Sequence, residues 1–555
     1  MAGQADGGAG GQAPTVQAGS AEMSAAPIAA ESSADRAWRP AHNPWVVAMT
    51  VTLATFMEVL DTSIANVALP HIAGGLSAGV DESTWVLTSY LVSNAIVLPI
   101  SGWLAGLFGR KRFYMGCVAV FTLSSFMCGL APSLAMLVLC RVIQGAGGGG
   151  LQPSEQAILA DTFAPEERGM AFAIYGMAVV LAPAIGPTLG GWITDNFAWR
   201  WIFFINVPVG IISLLLSYRV VEDPPYVTRE VKERKGGIKI DYIGLSLIAL
   251  GLGALQIVLD KGQRLDWLQS HFIATLTIIG VLAVAAFIVW ELRTEHPVID
   301  LRLFKDRTFA ISTTMMFTLG MVLFGTTVLL PQYVQELMGY TAQQAGMVLT
   351  PGGFAMMVTM PIVGALISRV DGRWLIAIGF VITGLAMLHM TGIYPGVDFR
   401  TAMFYRIYQS MGLAFLFIPI TTMAYTGMRQ DQNNDISAVM NFARNIGGSL
   451  GISMVTTMLA RLSQFHQTTL MTRVTPFNST LHSQLTGLGH QLFLSGSSNI
   501  NNRAMGMIYG RILRTASAQA YIDVIRLMGI ATLCMLPLVL LMRKNQAAAG
   551  PAPMH

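Results

Sequence analysis

The stretch FMEVLDTSIANVALP, Phe56 to Pro70, carries two carboxylates, Glu58 and Asp61, inside a run otherwise apolar enough to lie in hydrocarbon. Ionisable groups are expensive there and mark ion pathways, proton relays or buried pairs. The rest of the chain shows that hydrocarbon is the right medium. Of 555 residues, 53% are hydrophobic and 12% are charged, against about 25% charged in soluble domains. A spanning helix needs about 20 mostly apolar residues. Fourteen candidates begin near residues 45, 84, 113, 133, 171, 200, 241, 271, 309, 343, 374, 401, 437 and 518.

With an even number of spans, both ends lie on one side. The loops and tails on that side carry most of the Lys and Arg, including Arg110-Lys111-Arg112, the run from Arg229 to Lys239 and the run from Arg293 to Arg307. Cytoplasmic loops hold the basic excess, so both termini are expected inside, and the basic residues report topology rather than a nucleic-acid partner. Residues 1–40 lack a basic start followed by an apolar core and read as a disordered tail, not a cleaved leader. Cys117, Cys128, Cys140 and Cys534 all fall in apolar spans and read as small core hydrophobes. No metal-ligand spacing and no nucleophile–base set is visible, so the chain is not expected to be an enzyme.

Glu58 and Asp61 are three residues apart, which puts them on one helical face with Cβ atoms about 5–6 Å apart. Two carboxylates that close in a low dielectric do not both ionise, so the pair is expected to hold a proton within the membrane. Packing specificity is the alternative use. Arg141, inside span 4, is the counter-ion expected for them, because an unpaired cation there is costly. Glu155, further along span 4, reads either as a second relay acid or as an interfacial charge. Arg444 in span 13 has no partner legible in the sequence. The run Gly145 to Gly150 contains G-x-G-x-x-G, but no strand precedes it and no Lys-Ser/Thr follows; in a span, small residues serve close helix packing. APAIGPTLGG, residues 182–191, with Pro183, Gly186, Pro187 and Gly190, reads as a kinked, tightly packed helix and a pivot or seal.

Arg141-Val-Ile-Gln144 followed by Pro153 has a counterpart in Arg406-Ile-Tyr-Gln409 followed by Pro419, a faint internal repeat of the kind transporters use. Residues 459–517 are read as an outer loop, without Lys, Asp or Glu. It is either a flexible connection or a docking surface built from short helices over HSQLTGLGHQLFL and NNRAMGMIYGRILRTASAQAYI.

Several motifs resemble a known family. GWLAGLFGRKR after span 2, with Gly109 and Arg110, RVIQGAGGG in span 4, with Arg141, Gln144 and Gly145, and APAIGPTLGG in span 5 are similar to signatures of the major facilitator superfamily. LDTSIANVALPHI resembles the span 1 motif of its 14-span drug:proton antiporters. WRWIFFINVPVG, HPVIDLRLF, MGYTAQQAGMVLTPGG and NFARNIGGSLG resemble the EmrB-type branch. The resemblance covers roughly residues 40–545.

It implies an all-α membrane protein of two six-helix bundles plus two inserted helices. The division expected is a cytoplasmic tail over 1–44, a first bundle over 45–220, a linker over 221–240, inserted helices over 241–292, a second bundle over 309–541 and a tail over 542–555. It implies a bacterial inner-membrane exporter of amphipathic, aromatic or cationic drugs, driven by the proton-motive force with no other cofactor. It also implies two partners, an EmrA-like membrane fusion protein and a TolC-like outer-membrane channel. A dedicated exporter of one metabolite, fatty acid or siderophore would share every motif. Asp61 and Arg141 match the family's proton-coupling positions, whereas Glu58 rests on spacing alone. Phe56, Met57, Tyr90, Asn94 and Gln144 are the candidate substrate contacts. The span 2–3 motif usually has an acid where this chain has Gly106, which leaves Arg110 without its usual latch partner.

Overall fold

The computed structural model describes residues 40–228, 241–294, 297–394, 396–472, 474, 479–494 and 500–543. The expected tails, up to residue 39 and from residue 544, and the charged linker from 229 to 240 lie outside the described residues. Among those described there is no strand. That follows from the medium: hydrocarbon offers no partner to backbone N–H and C=O groups, and a helix satisfies them within one segment.

The long helices are α1 (Pro44–Gly75), α2 (Trp85–Phe108), α3 (Arg110–Leu130), α4 (Leu134–Gly148), α5 (Leu151–Thr162), α6 (Arg168–Asn196), α7 (Asn206–Val220), α8 (Tyr242–Lys261), α9 (His271–Arg293), α10 (Arg307–Met338), α11 (Ala342–Leu366), α12 (Gly372–Met390), α13 (Phe399–Ala424), α14 (Asn433–Met471), α15 (Ser479–Leu494) and α16 (Ile500–Leu533). Several starts are fixed by side-chain caps: Asn43, Ser133, Asp306 and Asp371 each accept from an orphan N–H of the first turn.

Among the described residues thirteen spans are long and apolar enough to cross a membrane, with α4 and α5 forming one of them. The fourteenth expected span is present as α14, a 39-residue helix. It fails the hydropathy test because it buries Asn434, Asn441 and Arg444 in the protein rather than facing lipid. The reverse holds for α9, where Ile278 and Leu282 remain 61% and 64% exposed; such outward apolar faces suit a lipid solvent.

Helices α1–α7 pack together, as do α10–α14 with α16. These two halves meet along two seams, α6 against α11 and α13, and α2 with α5 against α14. The α8–α9 hairpin lies on α2 and also reaches α14, through Gln256 donating to the Ser449 hydroxyl at 3.1 Å. Glycines set how closely the helices approach. A Cβ at Gly447 would collide with the Phe317 carbonyl, and one at Gly451 with that of Met321, so α10 and α14 are in backbone contact.

The region read as a loop over 459–517 is mainly helical where described. Helix α14 continues to Met471, α15 follows, and α16 starts at Ile500, well before the expected span at 518. Leu488, Ala504 and Ile508 form a small apolar core between α15 and α16, so the flexible-connection alternative is overturned for these residues.

Gly447→Ala should lower the unfolding temperature in detergent, because overpacking a filled contact costs about 1–3 kcal/mol. Gly510→Ala, where a Cβ meets nothing within 4 Å, should leave it unchanged or raise it slightly. Equal melting curves for the two variants would contradict the α10–α14 packing.

Candidate functional site

Glu58 and Asp61 do share one side of α1, but each carboxylate has its own partners. The buried Arg141 guanidinium donates to Asp61 Oδ2 at 2.5 Å. Asp61 Oδ1 accepts from Gln144 Nε2 at 3.1 Å and from Asn206 Nδ2 at 2.6 Å. Arg141 also donates to the Gln144 carbonyl at 2.8 Å and to the Val86 backbone at 3.1 Å, and its guanidinium lies 4.3 Å from the Tyr90 ring centroid. Helices α1, α2, α4 and α7 therefore converge on one buried ion pair. They can do so because α4 is glycine-rich: a Cβ at Gly145 would strike the Tyr90 carbonyl, and one at Gly148 the Tyr90 hydroxyl. The Gly149–Gly150 break between α4 and α5 sits in the same run.

Glu58 belongs to a different network. Its carboxylate accepts from Tyr90 Oη at 2.8 Å, Gln152 Nε2 at 2.6 Å and Asn94 Nδ2 at 3.4 Å. No hydrogen bond joins it to Asp61 among the described residues: the two acids share one side of α1 and are ligated separately. The physical reason is the supply of donors: a buried carboxylate takes the nearest N–H and O–H groups, and each acid has its own set.

The Glu58 network crosses between the halves. Gln152 turns its NH₂ to Glu58 and its carbonyl to Arg444 of α14. Arg444 also donates to Tyr175 Oη at 3.1 Å and to Asn441 Oδ1 at 2.8 Å, and Asn441 donates to Gln156 Oε1 at 2.9 Å. Arg444 thus has partners after all, and two of them, Gln152 and Tyr175, lie in the opposite half. Gln152, Gln156, Tyr175, Asn441 and Asn206 were not singled out from the sequence. The available signal was polar side chains at helical spacing within apolar spans, Gln152 with Gln156 and Asn441 with Arg444.

Glu155 is fully buried and accepts from Thr52 Oγ1 at 2.6 Å, while its other oxygen has no hydrogen-bond partner. The interfacial-charge alternative is therefore excluded by burial. At the end of the molecule that carries Arg110 to Arg112, Arg110 forms a buried ion pair with Asp161 at the end of α5. Asp161 also accepts from Tyr226 Oη at 2.7 Å and from Asn433 Nδ2 of α14 at 2.6 Å, and Tyr226 lies 3.2 Å from the Gln430 carbonyl. Asp161 is thus the acid that Arg110 meets in this chain, and the contacts around it join the halves. Gly109, with φ 89°, provides the tight turn before Arg110.

In span 5, a Cβ at Gly186 would collide with Ser63 and one at Gly190 would press on Ile64 of α1. On the other side of α6, the Ala184 carbonyl is met by Thr350 Oγ1 of α11 at 3.5 Å, and Pro187 lies beside Gly346. This helix is packed against both halves. Between the halves lies a narrow cavity lined by Val179, Pro183 and Ala184 of α6, Phe324 and Thr327 of α10, Leu349 and Gly353 of α11, and Arg406 and Ser410 of α13. None of the five candidate substrate contacts lines it. Tyr90, Asn94 and Gln144 are ligands of the two carboxylates, Met57 is buried, and Phe56 packs on the core near Leu60 and Ile64.

Residues 51–452 match the family model of the Major Facilitator Superfamily. The chain belongs to that superfamily. It is 39% identical over 457 residues to the multidrug export protein EmrB of Escherichia coli K12, covering 81% of this chain and 88% of that one. It is 38% identical over 457 residues to the fatty acid resistance protein FarB of Neisseria gonorrhoeae, covering 82% and 88%. The fold is also that of the human organic anion transporter MFSD10, with a TM-score of 0.55 at 14% identity over 75% of this chain and 94% of that one. The chain is an EmrB-type transporter of the major facilitator superfamily and a multi-pass membrane protein.

Within this transporter the two buried acids should respond differently to mutation. Asp61→Leu strands the Arg141 cation and should cost about 3–5 kcal/mol, visible as a large fall in melting temperature in detergent. Glu58→Gln keeps a group that hydrogen-bonds and should change stability by about 1 kcal/mol or less. Equal losses would contradict the separate ligation of the two acids.

Proposed function

We propose that this EmrB-type transporter exports amphipathic, aromatic or cationic drugs in exchange for protons entering through Asp61. The observation that carries this reading is the Asp61–Arg141 pair, buried in a span and held by Gln144 and Asn206. Protonation of Asp61 releases Arg141 and its hold on α1, α2 and α4. Glu58 is the second acid. Through Gln152 its charge is connected to Arg444 of the other half, so a change of protonation there acts on the seam between the halves. Alternating access needs such a link, because a ligand shifts an equilibrium only by its differential interaction with the two states.

The basic end is read as cytoplasmic, with both termini there. The latch of Arg110, Asp161, Tyr226 and Asn433 then closes the cytoplasmic side, and the α15–α16 hairpin projects from the outer side of an inner membrane. The relatives' likeness supports a three-part pump in which that hairpin meets an EmrA-like fusion protein that leads to a TolC-like channel. The driving energy suffices: one charge crossing about 150 mV yields about 3.5 kcal/mol, enough for a roughly 300-fold gradient.

In proteoliposomes with the basic end outward and an inside-acidic gradient, uptake of a lipophilic cationic dye should follow the gradient in the unmodified protein. In Asp61→Asn it should fall at least about tenfold while dye binding persists. Gradient-driven uptake by Asp61→Asn equal to that of the unmodified protein would exclude Asp61 as the proton carrier.

A further inference from the structure

The faint repeat of Arg-x-x-Gln noticed in the sequence becomes a structural comparison between the two halves. In each half the Arg donates to the Gln carbonyl three residues later, at 2.8 Å in both cases. The surroundings then diverge. Arg141 has Asp61. Arg406 has two hydroxyls, Thr326 Oγ1 and Thr327 Oγ1, each at 3.1 Å. Among the described residues no carboxylate pairs with Arg406, although it is 94% buried by its 6% exposure. Its Nε and the Nε2 of Gln409 have no hydrogen-bond partner. The two hydroxyls accept from the guanidinium but carry no charge, so they leave the cation without a counter-ion.

A buried cation without a counter-ion is costly unless something supplies the charge, and an intramembrane ionisable group is by default a functional one. Arg406 lines the cavity between the halves, whose other walls include Val179, Pro183, Leu323 and Phe324. The cation thus stands on the wall of a largely apolar slot, and the two Thr hydroxyls that accept from it spend their own protons on the Val322 and Leu323 carbonyls. Guanidinium groups bind carboxylates with directional, charge-assisted hydrogen bonds.

We propose that Arg406 is the docking point for the carboxylate of an amphipathic anionic substrate whose apolar body lies between α6 and α10. The second half thus takes from its cargo the charge that the first half builds in as Asp61. This rests on the export reading above and narrows its substrate class. It also separates the proton site, in the first half, from the anion site, in the second.

The test is a binding measurement on the full-length protein in phosphatidylcholine nanodiscs without a proton gradient, so it does not depend on coupling. The probes are a matched pair of one apolar body and opposite heads, phenylbutyrate and phenylbutylammonium, followed by calorimetry. The unmodified protein should bind phenylbutyrate, and Arg406→Gln should weaken it at least about tenfold, one tenfold step being ~1.4 kcal/mol, without weakening phenylbutylammonium. Thr326→Asp installs the acid that the first half has. It keeps Arg406 paired and the protein folded, and should abolish phenylbutyrate binding to the same degree. Phenylbutyrate binding that is absent in the unmodified protein, or unchanged in both variants, overturns the assignment while leaving dye export intact. Loss of phenylbutyrate binding in phosphatidylglycerol discs assigns the site to a lipid phosphate and also overturns it.

Discussion

A charge in hydrocarbon has to be met by an opposite charge or by several hydrogen bonds, and much of the first half of this transporter is arranged to meet that requirement at Asp61 and Arg141. The pair draws α1, α2, α4 and α7 to one point. The approach is possible only because Gly145 and Gly148 leave room for Tyr90 of α2. The charge pair and the glycine run are therefore one device. Removing either the charge or the space would leave the other without purpose, since a guanidinium that cannot reach its carboxylate is more damaging than none at all.

The same requirement is met differently at each other buried ion. Glu58 is ligated by neutral donors, one of which passes the connection on to Arg444 in the opposite half. Arg110 takes its acid from Asp161, which is in turn held by Asn433 across the second seam. These links join the halves through hydrogen bonds rather than direct ion pairs, most of them with one charged partner and individually worth about 1.5–3 kcal/mol. The helix crossings that carry them are lined by small residues, so the apolar grip at each crossing is modest.

The asymmetry between the halves follows the division of labour. One Arg-x-x-Gln pair is neutralised from within by Asp61. The other is met by hydroxyls only, which leaves its charge uncompensated, and its Arg faces the cavity. Internal repeats related in this way are a common transporter construction, and here the two Arg residues differ in what meets them, a carboxylate at Arg141 and two hydroxyls at Arg406.

The sequence by itself determined the membrane class, the helical architecture and the position of most spans, because twenty-residue apolar runs and basic loop patterning are local properties. It also marked Asp61, Arg141 and the glycine and proline motifs, since charges and helix breakers in apolar runs stand out without any knowledge of neighbours. It did not show that Glu58 and Asp61 turn to different partners, that Glu155 is buried, that Arg444 reaches Gln152 or that Asp161 is the acid that Arg110 meets. It misread 459–517 as mostly loop, because a helix that is part polar and part outside the bilayer has no hydropathy signature. Each of those outcomes depends on side chains far apart in the chain, 292 residues apart for Arg444 and Gln152. Only the tertiary structure decided them, because in a low dielectric the partner of a buried polar group is whichever donor or acceptor the packing of helices brings within about 3 Å.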